Sequence, residues 1–349
     1  MVRVTSFIHG LAIAIFAQST QASSFSMSKS NTPNNYSITV IQEIPGPRNL
    51  ENIAVRHTGD LLVTSTTSSA LFQVSSDQSK DPILIAEIPA STALTGIAEL
   101  EQDIFYVVSL NLTGVIAVPG SNAVWKVDMR RVRTAKDGTV SGTAQVSLVT
   151  KLPDAQLLNG LCRLAPNDNS NLLISDSVSG SVAKLNVDTG KFEIVIQDDT
   201  MKTLQTGLPI GINGIHIHEC DLFFVNLNQG LFAKVPISLS TGARTGSVEV
   251  IVNDTAGDDF AISRNGKKAW IAMNGQFTLV EVDIPGKKAS SVANSTLLMS
   301  DSAVAFGRTR LDWNILYVTA AATVDGINST TEGRVVGVDL PYTFADLNL

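Results

Sequence analysis

Charge is what this chain has least of. Among 349 residues there are 25 Lys or Arg and 32 Asp or Glu, 16% charged in all, for a net charge near −7. That balance supplies no basic footprint for a phosphate backbone, so nucleic acid is excluded as a partner. Cysteine is nearly missing. Cys162 and Cys220 are the only two, with no CxxC or Cys/His cluster to suggest structural zinc. In an oxidising compartment they could pair, or they could stand as buried free thiols. Histidine numbers four and no Gly-x-Ser-x-Gly elbow occurs, so a Ser/His/Asp triad lacks support. P-loop and dinucleotide fingerprints are absent as well. No run reaches 18 unbroken apolar residues, so no membrane span is expected. What remains is 44% hydrophobic, enough for a large buried core and against wholesale disorder.

The N-terminus suggests how so few charges keep the chain in solution. Arg3 precedes the apolar run Phe7 to Ala17, and Thr20-Gln21-Ala22 offers a cleavage site. Residues 1–22 therefore read as a signal peptide, which places the mature protein, residues 23–349, in the secretory pathway, secreted or lumenal. Five Asn-x-Ser/Thr sequons follow at Asn35, Asn111, Asn253, Asn294 and Asn328. Sugar there would supply polarity that the side chains do not, and each site should be exposed.

Helical periodicity is scarce and short β-forming runs dominate, among them 60–64, 104–108, 171–175, 222–225, 269–272 and 315–319. Turn pairs such as Thr58-Gly59, Thr189-Gly190 and Asn265-Gly266 punctuate them. Six segments begin alike, at Glu51, Thr95, Asn159, Asn213, Asp258 and Ser302, and each leads into one of those strands. The starts lie 44, 64, 54, 45 and 44 positions apart. Four strands per repeat of about 45 residues is the arithmetic of a propeller blade. The expected fold is all-β, a single six-bladed β-propeller with four-stranded blades. The early run Ser37–Ile41 would complete the last blade and close the ring. The extra length of the second repeat reads as a surface loop over 130–142. A two-domain β arrangement is the alternative that the spacing leaves open.

Matching positions in successive blades form a ring around the propeller axis. The six leading residues are all polar. Glu51, Asn159, Asn213 and Asp258 together offer two carboxylates and two carboxamides, the oxygen ligands of a hard divalent cation such as Ca²⁺. Asn and Asp at such places also cap turns and bond local backbone, the reading that competes for each one singly. His216 and His218 share a strand face, a weak metal pair without a third partner.

The Glu51, Asn159-Gly160, Asn213-Gly214 and Asp258 series resembles the gluconolactonase / senescence-marker-protein superfamily of six-bladed propellers. The resemblance implies one divalent metal in the channel, held by that set, with Asp258 also the general base of lactone hydrolysis. Asp259 departs from the pattern, standing where the family usually has Gly. The stretches Asn213-Gly-Ile-His216, Gly230–Pro236 and Asp258-Asp-Phe-Ala261 are similar to a secreted fungal branch of these propellers. That branch implies a hetero-Diels–Alderase of tropolone sesquiterpenoid biosynthesis, joining a tropolone quinone methide to a terpene such as humulene. Such a cyclase needs no cofactor. It needs a dry, shaped pocket and donors aimed at the polarised carbonyl, for which Arg56, His216, Asn159 and Asn213 are candidates beside Asp258. The expected partners are small apolar molecules and the expected state a monomer. Two further classes stay open, a metal-dependent lactonase or esterase and a non-catalytic ligand-binding propeller.

Overall fold

The β-forming runs pair as six antiparallel four-stranded sheets. The computed structural model describes residues 36–135, 139–323, 330–343 and 346. The segment read as a signal peptide and the sequons Asn35 and Asn328 lie outside them. Blade 1 comprises Leu50–Val55, Leu61–Ser65, Ala70–Val74 and Ile83–Glu87. The inner strands of blades 2 to 6 are Ala93–Glu99, Leu158–Arg163, Ile212–His218, Phe260–Ile262 and Val304–Phe306. Each touches the next, and that of blade 6 returns to that of blade 1, so the ring is closed. The protein is a six-bladed β-propeller.

Closure comes from the N-terminal strand, as the sequence suggests. Ser37–Pro45 pairs antiparallel with Thr330–Asp339 and becomes the outermost strand of blade 6. Arg334 clamps the pair through Glu43, with contacts of 2.6 and 3.0 Å. A second fastening lies nearby, where the hydroxyls of Tyr36 and Tyr342 both donate to Glu281 Oε2 at 2.7 and 2.6 Å.

Apolar burial follows the blades. Six clusters fill the six gaps between neighbouring sheets, one per gap. Trp270, fully buried between blades 5 and 6, meets Phe306 edge-on at 5.4 Å. The extra length of blade 2 is not confined to the loop expected over 130–142. It forms two short hairpins, Leu112–Thr113 with Ile116–Ala117 and Arg133–Thr134 with Val140–Ser141. Of the described sequons, Asn253 and Asn294 are exposed, whereas Asn111 is half-buried and its Oδ1 is sealed without a partner. No helix among the described residues is long and apolar enough to cross a membrane.

Inner strands approach one another most closely at glycine. A Cβ on Gly160 would lie 2.5 Å from the Asn213 carbonyl and 3.0 Å from Gly214 Cα, both backbone atoms that cannot step aside. Gly160→Ala should therefore cost about 1–3 kcal/mol, the usual range for overpacking, read as a lower urea midpoint at unchanged slope. An unchanged midpoint would mean that the ring is looser than this.

Candidate active site in the channel

The site begins with a repeated irregularity. In blades 1 to 4 the inner strand slips register against its neighbour, leaving two residues outside the ladder. In blades 5 and 6 two residues stand ahead of the inner strand in the same way, bonded to Ala272 and Thr319. The pairs are Glu51-Asn52, Thr95-Gly96, Asn159-Gly160, Asn213-Gly214, Asp258-Asp259 and Ser302-Ala303. A bulge re-aims the side chain it carries, and the first member of each pair is one of the six leading residues read from the sequence.

These six do different work. Thr95 Oγ1 donates to the Leu158 carbonyl at 3.0 Å and Ser302 Oγ to that of Leu50 at 2.6 Å, so both stitch neighbouring blades together. Asn213 Nδ2 donates to Asp258 Oδ1, and Asn274 Nδ2 donates to Asp258 Oδ2 at 2.6 Å. Burial pushes the Asp258 carboxyl up to about 7 despite these two amide donors, and the neighbouring Asp259 adds to the rise. Glu51 is driven well above the usual carboxylate range, first by burial and then by the charges of Asp258 and Asp259. It lies deep in the ring yet is not sealed from water. Neither Glu51 nor Asn159 makes a side-chain hydrogen bond among the described residues. Behind them Asp301, also raised by burial, accepts from the Met273 amide at 3.0 Å, while its Oδ1 is buried without a partner.

The other sequence candidates sit elsewhere. Arg56 follows the inner strand's far end, five residues past Glu51 and about 16 Å along an extended chain. It is buried against Asp103 and Gln73, at 2.9 and 2.7 Å. There it opens on a separate cleft of about 690 Å³ with His57, Lys80, Arg133 and Tyr317. His216 Nε2 lies 2.9 Å from Asp259 Oδ1 and its ring meets Phe260 edge-on at 4.9 Å. His218 is drawn off to the Arg264 carbonyl at 2.9 Å, so the two histidines do not converge. Cys162 is buried and Cys220 exposed, and both thiols are free.

Sequence reading missed Asn52, Asn274 and Asp301, which touch or flank the carboxylates. It also missed an apolar rim. The loops at the bulge end of the strands carry exposed Ile116 (63%), Leu204 (59%), Val118 and Phe277. Exposed apolar side chains thus stand on the loops at this end, above an acidic interior.

Among the described residues no three His, Cys, Asp or Glu side chains converge as metal ligands. The donor chemistry of the mixed set, two carboxyls and two amides, is nevertheless of the kind a hard cation takes. Asp258 is a buried and Glu51 a half-buried carboxyl, neither paired to Lys or Arg among the described residues, and Asn159 makes no side-chain hydrogen bond there. Asn213 would exchange its N–H contact to Asp258 for ligation through oxygen.

No protein-family model matches the chain. Two curated proteins do. One, from a Phoma species and provisionally named a hetero-Diels-Alderase, is 29% identical over 325 residues, covering 82% of this chain and 89% of that protein. A second of the same provisional name, from Sarocladium schorii, is 28% identical over 334 residues, covering 84% and 80%. The chain resembles the hetero-Diels-Alderase branch of these propellers. Among solved structures, a gluconolactonase of Xanthomonas campestris superposes with a TM-score of 0.58 at 14% identity, covering 88% of this chain and 90% of its own. Regucalcin of Agrobacterium tumefaciens, a calcium-binding protein, gives 0.57 at 15%, covering 87% and 96%. At such identities these two show the fold.

Proposed function

We propose that this protein is a hetero-Diels-Alderase that joins a tropolone quinone methide to a humulene-type terpene. The observation that carries the reading is the similarity to two proteins of that name over more than four-fifths of the chain. The channel's chemistry supports it. In such a cycloaddition the C=C–C=O heterodiene and an alkene exchange π electrons for one C–C and one C–O bond, and no proton need be gained or lost. Catalysis reduces to holding both partners in a near-attack geometry and stabilising the charge that gathers on the carbonyl oxygen. The apolar rim suits a terpene. Carboxyls whose pKa is raised by burial can donate a hydrogen bond while protonated, the role this reading gives Asp258 and Glu51.

The second reading is a metal-dependent lactonase, favoured by four oxygen-bearing side chains around carboxylates that lack a basic partner. Glu51, Asn159, Asn213 and Asp258 would hold a divalent cation such as Ca²⁺, whose contribution when bound is to polarise the lactone carbonyl. The readings oppose each other on protonation, since a cation needs both carboxyls ionised. Mixing the purified protein with a hydroxymethyl-tropolone precursor of the quinone methide and humulene, with and without chelator, separates them. The cyclase should give a single stereoisomer at a rate unchanged by chelator. A racemic product at the background rate would sink the reading, and lactone hydrolysis abolished by chelator would establish the alternative. We also propose passage through the secretory pathway with sugar on exposed Asn253 and Asn294.

A further inference from the structure

Asp259 is the one carboxylate at the second bulge position of the ring. Blades 2, 3 and 4 carry Gly96, Gly160 and Gly214 there and blade 6 carries Ala303, whereas blades 1 and 5 carry Asn52 and Asp259. The Asp259 side chain lies over Gly214, whose added Cβ would fall 2.1 Å from Oδ1. Three donors converge on it. The Phe260 amide at 2.8 Å and His216 Nε2 at 2.9 Å meet Oδ1, and Asn52 Nδ2 reaches Oδ2 at 3.1 Å. Asn52 is fixed in turn, because its Oδ1 accepts from the Ile53 amide at 2.9 Å. The bond between Asn52 and Asp259 runs from blade 1 to blade 5 past the small Ala303 of blade 6.

Both Asp259 oxygens already accept, Oδ1 from the Phe260 amide and Oδ2 from Asn52 Nδ2, and this acceptor pattern assigns the proton in the 2.9 Å contact to His216 Nε2. In the uncharged form of the ring the lone pair then sits on Nδ1, which takes no hydrogen bond among the described residues. The side chain is 38% exposed, and the edge of Phe260 holds the ring plane. His216 therefore offers an acceptor to a ligand, in place of the donor that the sequence suggests.

We propose that Asp259 and Asn52 are positioning residues that present His216 Nδ1 as the acceptor for an acidic hydroxyl beside a carbonyl on the substrate. Naming that substrate class rests on the cyclase reading. The ligand is a vinylogous acid of the tropolone type: its hydroxyl meets His216, and its apolar partner occupies the rim side.

Tropolone and its O-methyl ether are the probes, titrated calorimetrically into the full mature chain. Wild type should bind tropolone about tenfold more tightly than the ether, the worth of one hydrogen bond. His216→Phe should bind both equally, and His216→Asn, which keeps an acceptor oxygen, should restore part of the preference. In ¹⁵N-histidine spectra wild-type His216 should show the Nε2–H tautomer, and Asp259→Ala should shift it toward a mixture while weakening the preference. Each variant must melt as cooperatively as wild type to be counted. Equal binding of the two probes by wild type overturns the proposal, as does a preference that survives His216→Phe or a tautomer that survives Asp259→Ala. The function reading fails separately. A His216-dependent preference without cycloaddition would uphold the acceptor and remove the cyclase. Cycloaddition without the preference would do the reverse.

Discussion

Asp258→Ala lowers the cycloaddition rate about a hundredfold, while Asp258→Asn stays within about tenfold of wild type. The first figure is the usual cost of removing one donor from a preorganised site. The second follows because an amide still offers N–H groups to a carbonyl oxygen and Asn213 and Asn274 still surround the position. The pH dependence goes with it. Asp258 donates only while protonated, so the wild-type rate should decline as pH rises through about 7, and Asp258→Asn should be flat there. Single-turnover rates from pH 5.5 to 8.5 read both effects. If Asp258→Asn is as dead as Asp258→Ala, the carboxylate is needed as an anion and the lactonase reading gains.

The second large effect is on stability. Asp258 titrates near 7 when folded against 3.8 unfolded, so the folded state holds a proton that the unfolded chain releases. Stability from this group is complete below the unfolded value and is lost as pH rises through about 7. The span corresponds to about 4 kcal/mol at roughly 1.4 kcal/mol per pH unit. Glu51, raised for the same reason, adds with the same sign. With chelator present, Tm should fall by several degrees between pH 5 and 8, and Glu51→Gln should raise Tm at pH 8 and shrink the slope. Saturating Ca²⁺, if it binds, should oppose the fall in wild type alone. A Glu51→Gln variant that melts lower than wild type at pH 8 in chelator would show that the buried charge is held by something other than its own protonation.

The ring was legible because it repeats. Glu51, Thr95, Asn159, Asn213, Asp258 and Ser302 all fall on the first bulge position, and six matching sites at one spacing outweigh the weakness of each. Whatever does not repeat escaped. Asn274 and Asp301 reach Asp258 and its neighbours from loops after different strands, where no periodicity marks them. Arg56 was misplaced by the same logic that found Glu51: it neighbours the ring in sequence, but strand geometry carries it to the opposite mouth. Asp259 was visible only as a departure from glycine. Its meaning depended on which side chains across the axis would come to it, and pairings between blades 4, 5 and 1 leave no local trace. The polar stretch 130–142 in blade 2 carries little alternation, so the hairpin of Arg133–Thr134 with Val140–Ser141 read as loop.

The seam in blade 6 has a consequence for how the molecule comes into being. Ser37 pairs with Asp339, about 300 residues away, so the strand Ser37–Pro45 waits for its partner until the chain has been made as far as residue 339. Throughout that interval it presents a bare hydrogen-bonding edge, the feature most prone to mispairing with other chains. Contacts so remote in sequence also slow folding. A chain permuted to begin near Pro47, with residues 36–45 joined after the last strand, would make every blade a local assembly. It should refold faster and aggregate less while keeping the same channel.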